Sequence, residues 1–553
     1  MIDFKKKTFL LAETVQEMRL ALSLALSTLG ARKLDMVSQS REVIRRLEQK
    51  SYDVIICDYL FSGGIDGLAL LQEINERRLI KQSTVFMIVT TERSAHKVLS
   101  ALEYDPDDYV LKPFTPNVLM KRLEKAILRK GVFASVGEMI QNHDYASAIA
   151  ACDVKIREGN VHKLEFMKLK GRLSMTMADY EGAQVIYEQV LATHPVAWAT
   201  MGLGKSLHHQ QEFAKAAELF QSVVEQNSHV MEAYDWLADS HKSLGELKEA
   251  QKALQTAVRI LPNDIKRQQA LGEAAWESGD LEVAESAFRL CVALEKQEAS
   301  LNVENHIRLG KVLFDKGNTE EALSLMREVR LIFPNDQKAE LHAALVECMI
   351  LKTTGDKSAL ALYDKAKQDY ASLEADIPVS MVLDMISDGL LFADETHTEA
   401  VVRKLLKNNV EGPLQAKVMA LYEKAGKAQQ FNVLIENIRK ELIDLNNRAV
   451  MLAKKGDFKA AVELFIQAVA DMPSNLQFIA NATNALLAYV NIVGWDDGYM
   501  QLAGDYIARI PELDPANPAF LKLSRMHAAT TEKFASQRGG SCIEGLDGGT
   551  PDI

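Results

Sequence analysis

Tyr52-Asp53-Val54-Ile55-Ile56-Cys57-Asp58 is a short apolar run of β-branched residues that ends in a carboxylate. Runs of this kind form strands buried on both faces. Open α/β sheets place ligands beyond the carboxyl ends of their parallel strands, and Asp58 falls at such an end. Outward from this stretch, strand and helix signals alternate over the first 130 residues, which predicts a doubly wound parallel sheet. Upstream, Thr8 to Ala12 reads as a first strand, Gln16 to Leu29 as an amphipathic helix, Lys33 to Val37 as a second strand and Arg41 to Gln49 as its helix. Tyr52 to Cys57 is the third strand, with Leu68 to Arg77 as the helix after a Gly63-Gly64 loop. Thr84 to Val89, Ala95 to Glu103, Tyr109 to Leu111 and Asn117 to Arg129 read as strand, helix, strand and closing helix.

Asp58 ends strand three, Thr90 follows strand four, and Tyr109 precedes Lys112-Pro113-Phe114 by three residues. Carrying this set, residues 5–130 resemble the receiver domain of two-component response regulators, a flavodoxin-like fold phosphorylated on aspartate. The resemblance implies that Asp58 accepts the phosphoryl group from a sensor histidine kinase or another phosphodonor. It gives Thr90 the hydroxyl that contacts that group, Lys112 the role of the invariant lysine and Tyr109 the aromatic switch position. It also implies a cis Lys112–Pro113 bond, which would fix the aim of the lysine. A carboxylate that approaches an anionic donor needs its charge neutralised, by a lysine and a divalent cation. Mg2+ takes oxygen ligands in octahedral geometry, and receivers supply them from an acidic pair after strand one together with the acceptor. Alignment on Arg19 sets Glu13 and Thr14 at the positions of that pair. The metal ligands are then Glu13 and Asp58, with the uncharged Thr14 in place of an expected acid. Phe61-Ser62-Gly63-Gly64 also departs from the usual proline-containing loop.

Internal repeats organise residues 131–532. Leu237-Ala238, Gly245, Ala250, Ala257 and Pro262 are followed by Leu271-Gly272, Gly279, Ala284 and Phe288; Ala250 and Ala284 lie 34 residues apart, the tetratricopeptide period. Six blocks fit this frame, within clear repeats at 164–334 and 442–475. Each block is a pair of antiparallel helices. Small residues such as Gly272, Ala284 and Ala461 belong where the two helices touch, and glycine ends the first helix at Gly245, Gly279, Gly317 and Gly456. Stacked pairs make an all-α superhelix with a groove for a protein partner. Residues 131–160, 337–440 and those beyond Leu476 read as degenerate pairs, and 533–553 as a disordered tail.

The composition agrees with a water-soluble, multi-domain chain of 553 residues, 48% apolar and 25% charged. A net charge of −12 argues against a nucleic-acid partner. Five scattered cysteines suit reduced thiols in a bacterial cytoplasm, and neither a signal peptide nor a membrane span is expected. Gly202-Leu203-Gly204-Lys205-Ser206 resembles the end of a phosphate-binding loop, but Ala199 stands where the first glycine belongs. His208-His209 are adjacent, so they do not make a metal pair on a helix, and the tryptophans Trp198, Trp236 and Trp276 read as packing. No catalytic cluster of an enzyme is found. The expected function is a response regulator whose repeats bind and modulate a protein partner: a kinase, another regulator or a second-messenger enzyme. The alternative is a phosphorylation-independent scaffold whose receiver serves only for docking or as a homodimer contact.

Overall fold

Strands β1 (Thr8–Ala12), β2 (Lys33–Val37), β3 (Val54–Asp58), β4 (Val85–Thr90) and β5 (Asp108–Leu111) form one sheet in the order β2-β1-β3-β4-β5. Every neighbouring pair is parallel. The structure is a computed structural model that describes residues 3–59, 67–77, 79–81, 83–91, 106–159, 161–298, 301–373, 377–408, 412–514 and 517–540. The chain divides into two compact units, Met1–Ser300 and Leu301–Ile553.

The strands are apolar on both faces, because helices cover both. Leu10, Ile55, Cys57, Phe86 and Ile88 pack with α2 (Ser40–Gln49) and α3 (Gly67–Glu76). The alternate residues Phe9, Leu11, Ile56, Met87 and Val89 pack with α1 (Gln16–Thr28) and α4 (Pro116–Val132). This two-sided burial explains the continuous apolar runs. The third strand begins two residues later than expected, at Val54. Asp53 instead uses its carboxylate to accept from Thr8 N, Thr8 Oγ1 and Lys7 Nζ. Thr84 likewise leaves the fourth strand, and its hydroxyl donates to the Tyr52 carbonyl at 2.8 Å. Helix α4 starts where Thr115 accepts from Val118 N with Pro116 in the first turn. The helix expected at Ala95–Glu103 and the loop at Phe61–Gly64 lie outside the described residues.

The first unit continues in helix pairs. These are α5 (Ala134–Gln141) with α6 (Tyr145–Arg157), α7 (Lys163–Thr176) with α8 (Tyr180–Leu191) and α9 (Ala197–His209) with α10 (Phe213–Gln226). α11 (Met231–Ser243) with α12 (Leu247–Ile260) and α13 (Ile265–Ser278) with α14 (Leu281–Glu298) complete it. The small residues sit at the helix crossings as expected. A Cβ on Gly272 would lie 2.7 Å from the Phe288 ring, and one on Gly204 would lie 2.6 Å from Phe220.

The second unit opens with α15 (Val303–Asp315) and α16 (Thr319–Ile332). Residues 337–440 hold α17 (Gln337–Thr354) and α18 (Ala359–Ser372), α19 (Val379–Leu391) and α20 (Glu395–Leu406), then α21 (Pro413–Lys424) leading into α22 (Ala428–Lys454). Helix α22 corrects the expected start of a repeat at 442. It runs unbroken for 27 residues because no glycine or proline interrupts it. α23 (Phe458–Asp471), α24 (Leu476–Ile492), α25 (Asp497–Leu513) and α26 (Pro518–Gly540) follow. Helix α26 passes the expected boundary at 532, so residues 533–540 are helical where disorder was expected. Phe534 continues the packing there, with its ring 5.4 Å from that of Trp495.

The turn inside a pair has a repeating chemistry. A left-handed residue closes the first helix, and in five pairs an aspartate caps the second. Gly245, Gly279, Gly317 and Gly456 take the left-handed position, as expected. His143, Ala178, Gln211 and Ala393 take it in other pairs. Asp144, Asp179, Asp280, Asp394 and Asp457 then accept from the backbone N–H three residues on. Each such cap contributes about 1 kcal/mol.

Candidate functional site

The parallel register brings four chain segments to one edge of the sheet. Ala12 pairs with Cys57, Asp58 with Val89, and Thr90 with Leu111. Glu13, Asp58, Thr90 and Lys112 therefore leave the sheet together. The turn after β1 is held by its own backbone: Glu13 N donates to Val37 O, and the Arg19 guanidinium donates to the Glu13 and Thr14 carbonyls at 2.6 and 3.3 Å. Arg19 thus fixes the angle at which Glu13 enters the site.

Lys112 Nζ lies 2.6 Å from Glu13 Oε2 and 3.2 Å from Asp58 Oδ2. The second oxygen of each acid is held by a backbone N–H: Glu13 Oε1 by Val15 at 3.0 Å, Asp58 Oδ1 by Tyr59 at 2.8 Å. Glu13 and Lys112 are buried, and the Asp58 side chain is 11% exposed. Burial pushes the Asp58 carboxyl up to about 6, the neighbouring Glu13 adds to the rise, and the Lys112 ammonium opposes it. Thr90 is fully buried at the end of β4, and its carbonyl accepts from Lys112 N at 2.7 Å. The Lys112–Pro113 bond is cis. The ring of Tyr109 packs against the core on the α2–α3 face.

Gly67 also belongs to the site, although sequence reasoning gave it no role. A Cβ there would lie 2.5 Å from the Asp58 carbonyl, and its N–H donates to Tyr59 O at 2.7 Å. Only a glycine lets α3 begin against the acceptor loop, and the Asp66-Gly67 turn signal could have pointed to it.

Glu13 and Asp58 are the acids that could hold a divalent cation. All four of their oxygens already carry a hydrogen bond or ion pair, and Thr14 brings no charge. Among the described residues no group of three histidine, cysteine or acidic side chains gathers into a metal site. The donor set suits a weakly held Mg2+ that competes with the Lys112 ammonium for carboxylate oxygen.

The other sequence features fall inside repeats. Gly202 to Ser206 lie within α9, where Gly202 and Gly204 face aromatic rings. His208 bonds Ser240 Oγ at 3.0 Å and Asp239 at 3.1 Å, whereas His209 stacks on Tyr180. Trp198 meets Tyr187 edge-on and Trp236 stacks on Phe220. Cys57, Cys152, Cys291 and Cys348 are buried thiols. Among the described residues, no helix is long and apolar enough to cross a membrane.

The response regulator receiver domain family matches residues 9–124. Tetratricopeptide repeat families match residues 207–274, and 169–230 with 269–339. The alkaline phosphatase synthesis transcriptional regulatory protein PhoP of Bacillus subtilis is 27% identical over 144 residues, 26% of this chain and 57% of its own length. The response regulator ArlR of Staphylococcus epidermidis is 25% identical over 162 residues, 29% of this chain and 67% of its own. The chain thus spans little more than half the length of the first of these relatives, 57%. Among solved structures, the BeF3-activated DrrB receiver domain aligns at 21% identity and a TM-score of 0.20, covering 22% of this chain and 97% of its own. The C-terminal part of a TPR repeat-containing protein from Cytophaga hutchinsonii aligns at 18% identity and a TM-score of 0.36, covering 44% and 100%.

Proposed function

We propose that this chain, which carries a response regulator receiver domain at residues 9–124 and tetratricopeptide repeats after it, is a phosphorylation-controlled regulator of a protein partner. The observation that carries the reading is the meeting of Asp58 with Lys112 at the sheet edge, 3.2 Å apart, beside the buried Thr90. In the reaction, an Asp58 carboxylate oxygen attacks the phosphorus of a histidyl or acyl phosphate. The P–N or P–O bond to the donor breaks, and an aspartyl phosphate remains. In this reading Lys112 shifts from the acids to a phosphoryl oxygen, and the hydroxyl of Thr90, at the end of β4, bonds another. A weakly bound Mg2+ on Glu13 and Asp58 would lend further charge to the phosphoryl oxygens.

The output is non-enzymatic in this reading. A sensor histidine kinase supplies the phosphoryl group, and the repeats bind a peptide or helix of a kinase, another regulator or a second-messenger enzyme. The net charge of −12 disfavours nucleic acid, and the cytoplasm suits the buried thiols. One observation favours a second reading: Thr14 in the acidic pair suits a receiver kept for docking or homodimer contact. Mass spectrometry after acetyl phosphate treatment, with pull-downs by wild type and Asp58→Asn, decides between the two. The first reading expects a modified Asp58 and a partner whose capture differs between the proteins. An Asp58 that stays unmodified with and without Mg2+ would leave only the scaffold.

A further inference from the structure

Strand β5 has the acidic pocket at one end and, at the other, the end of the helix that leads into the first repeats. Lys112 follows its last residue, and Asp107 precedes its first. The two lie about 17 Å apart along an extended chain. Asp107 is nearly buried and holds three partners: Phe86 N at 2.9 Å, Arg129 at 2.9 Å and Lys130 at 3.3 Å. Arg129 also donates to the Asp107 carbonyl at 3.2 Å, and Asp108 pairs with Arg122 at 2.6 Å. Two ion-paired acids at the start of β5 thus grip the middle and the end of α4.

Helix α4 does not end in a tether. It includes Gly131 and passes into α5 across the single residue Phe133. The Phe133 ring lies 4.4 Å from that of the buried Phe166 on α7, and 6.2 Å from His162. Arg129 adds a looser pair with Glu165 at 3.9 Å. Both members of that pair are more than a third exposed, so solvent screens it and it adds little. An aromatic contact of this kind adds to the stabilisation its buried area provides, and the Phe166 side of it is fully shielded from water. The aromatic contact, not the exposed pair, therefore ties the receiver to α7.

We infer that Asp107 and Phe133 form a mechanical relay: Asp107 couples β5 to α4, and Phe133 couples α4 to the first repeats. The inference rests on the proposed phosphorylation of Asp58. A phosphoryl group that draws Lys112 from Glu13 pulls on one end of β5, and Asp107 at the other end carries the pull into α4. Helix α4 turns as a rod, and its Phe133 end shifts α7 through Phe166.

The test is amide hydrogen exchange across Lys163–Thr176 in the full chain, with and without acetyl phosphate, while phosphate on Asp58 is quantified in the same samples. In wild type the exchange of α7 changes at least about threefold on modification, a shift in local opening. Asp107→Asn keeps the acceptor for Phe86 N but lowers the charge that holds Arg129 and Lys130; Phe133→Ala removes the ring. Both variants should carry wild-type levels of phosphate and lose the α7 response. A modified Asp58 with no α7 response in wild type, or with an undiminished response in Phe133→Ala, overturns the relay alone. An Asp58 that never takes phosphate overturns the reading beneath it, and the relay with it. Should Asp107→Asn lose its fold by circular dichroism, Phe133→Ala decides the matter, since that ring is only half-buried.

Discussion

Lys112 Nζ and Glu13 Oε2 lie 2.6 Å apart although 99 residues separate them in sequence. Strands β3 and β4 stand between the two in the sheet, so the lysine spans the whole pocket. Its ammonium does part of the work expected of a metal ion. Supplying the missing acid should shift that balance. Thr14→Asp is expected to raise Mg2+ affinity by at least about tenfold, which is about 1.4 kcal/mol, read by calorimetric titration. An unchanged affinity would mean that Thr14 is not what weakens the site.

The Asp58 carboxyl, pushed up to about 6 by burial and by Glu13, predicts a pH profile. Only the carboxylate form attacks phosphorus. The rate with acetyl phosphate should therefore fall about tenfold between pH 7 and pH 5, following the ionised fraction. Glu13→Gln removes the neighbouring charge that raises Asp58, so its midpoint should move to lower pH. A midpoint that stays put in Glu13→Gln would show that burial alone sets it.

The strands were legible because residues such as Val54 to Cys57 are buried on both sides, which leaves an unbroken apolar signature. Their ends were less so, since side-chain bonds from Asp53 and Thr84 decide where pairing stops. Repeats were legible where a glycine takes the left-handed turn, as at Gly279. They were harder to read in residues 337–440, where Ala393 takes it; the blocks at Ala178 and Gln211 were still legible from small and aromatic residues such as Ala183, Tyr187, Ala216 and Phe220. Asp58, Thr90 and Lys112 could be named through the resemblance to receiver domains that their positions carry. The Glu13–Lys112 contact and the fit of Gly67 against Asp58 arise only when distant strand ends close on one another.

The repeat crossings make a prediction with two opposing terms. Gly272→Ala gains about 1 kcal/mol of helix propensity. It also puts a Cβ 2.7 Å from the Phe288 ring, which is fully buried and cannot swing away. Overpacking of this kind costs about 1–3 kcal/mol, so the variant should be destabilised on balance. Hydrogen exchange along α13 and α14 is the measurement, with faster exchange expected. Unchanged or slower exchange would mean that the crossing relaxes more easily than the ring packing allows.

Asp388, on α19 in the second unit, carries the last prediction. It is 2% exposed, and its Oδ2 has no hydrogen-bond partner among the described residues. Burial drives its carboxyl well above the usual range, Asp384 one turn earlier adds to the rise, and Lys311 opposes it. Asp384 itself is pulled down to about 2 by Lys311 and His342 against its own burial, so the two acids act in opposite senses. For an acid raised in the folded state, ionisation favours the unfolded chain. The penalty is absent below the unfolded value near 3.8 and grows as pH rises toward the folded one. Asp388→Asn stays neutral throughout and so escapes it. The variant should match wild type in thermal stability near pH 4 and exceed it at pH 8, by about 1–3 kcal/mol for a buried polar group left unpaired. Comparing the two proteins at each pH cancels the contribution of Asp384, and a difference that does not grow with pH would mean that Asp388 finds a partner when it ionises.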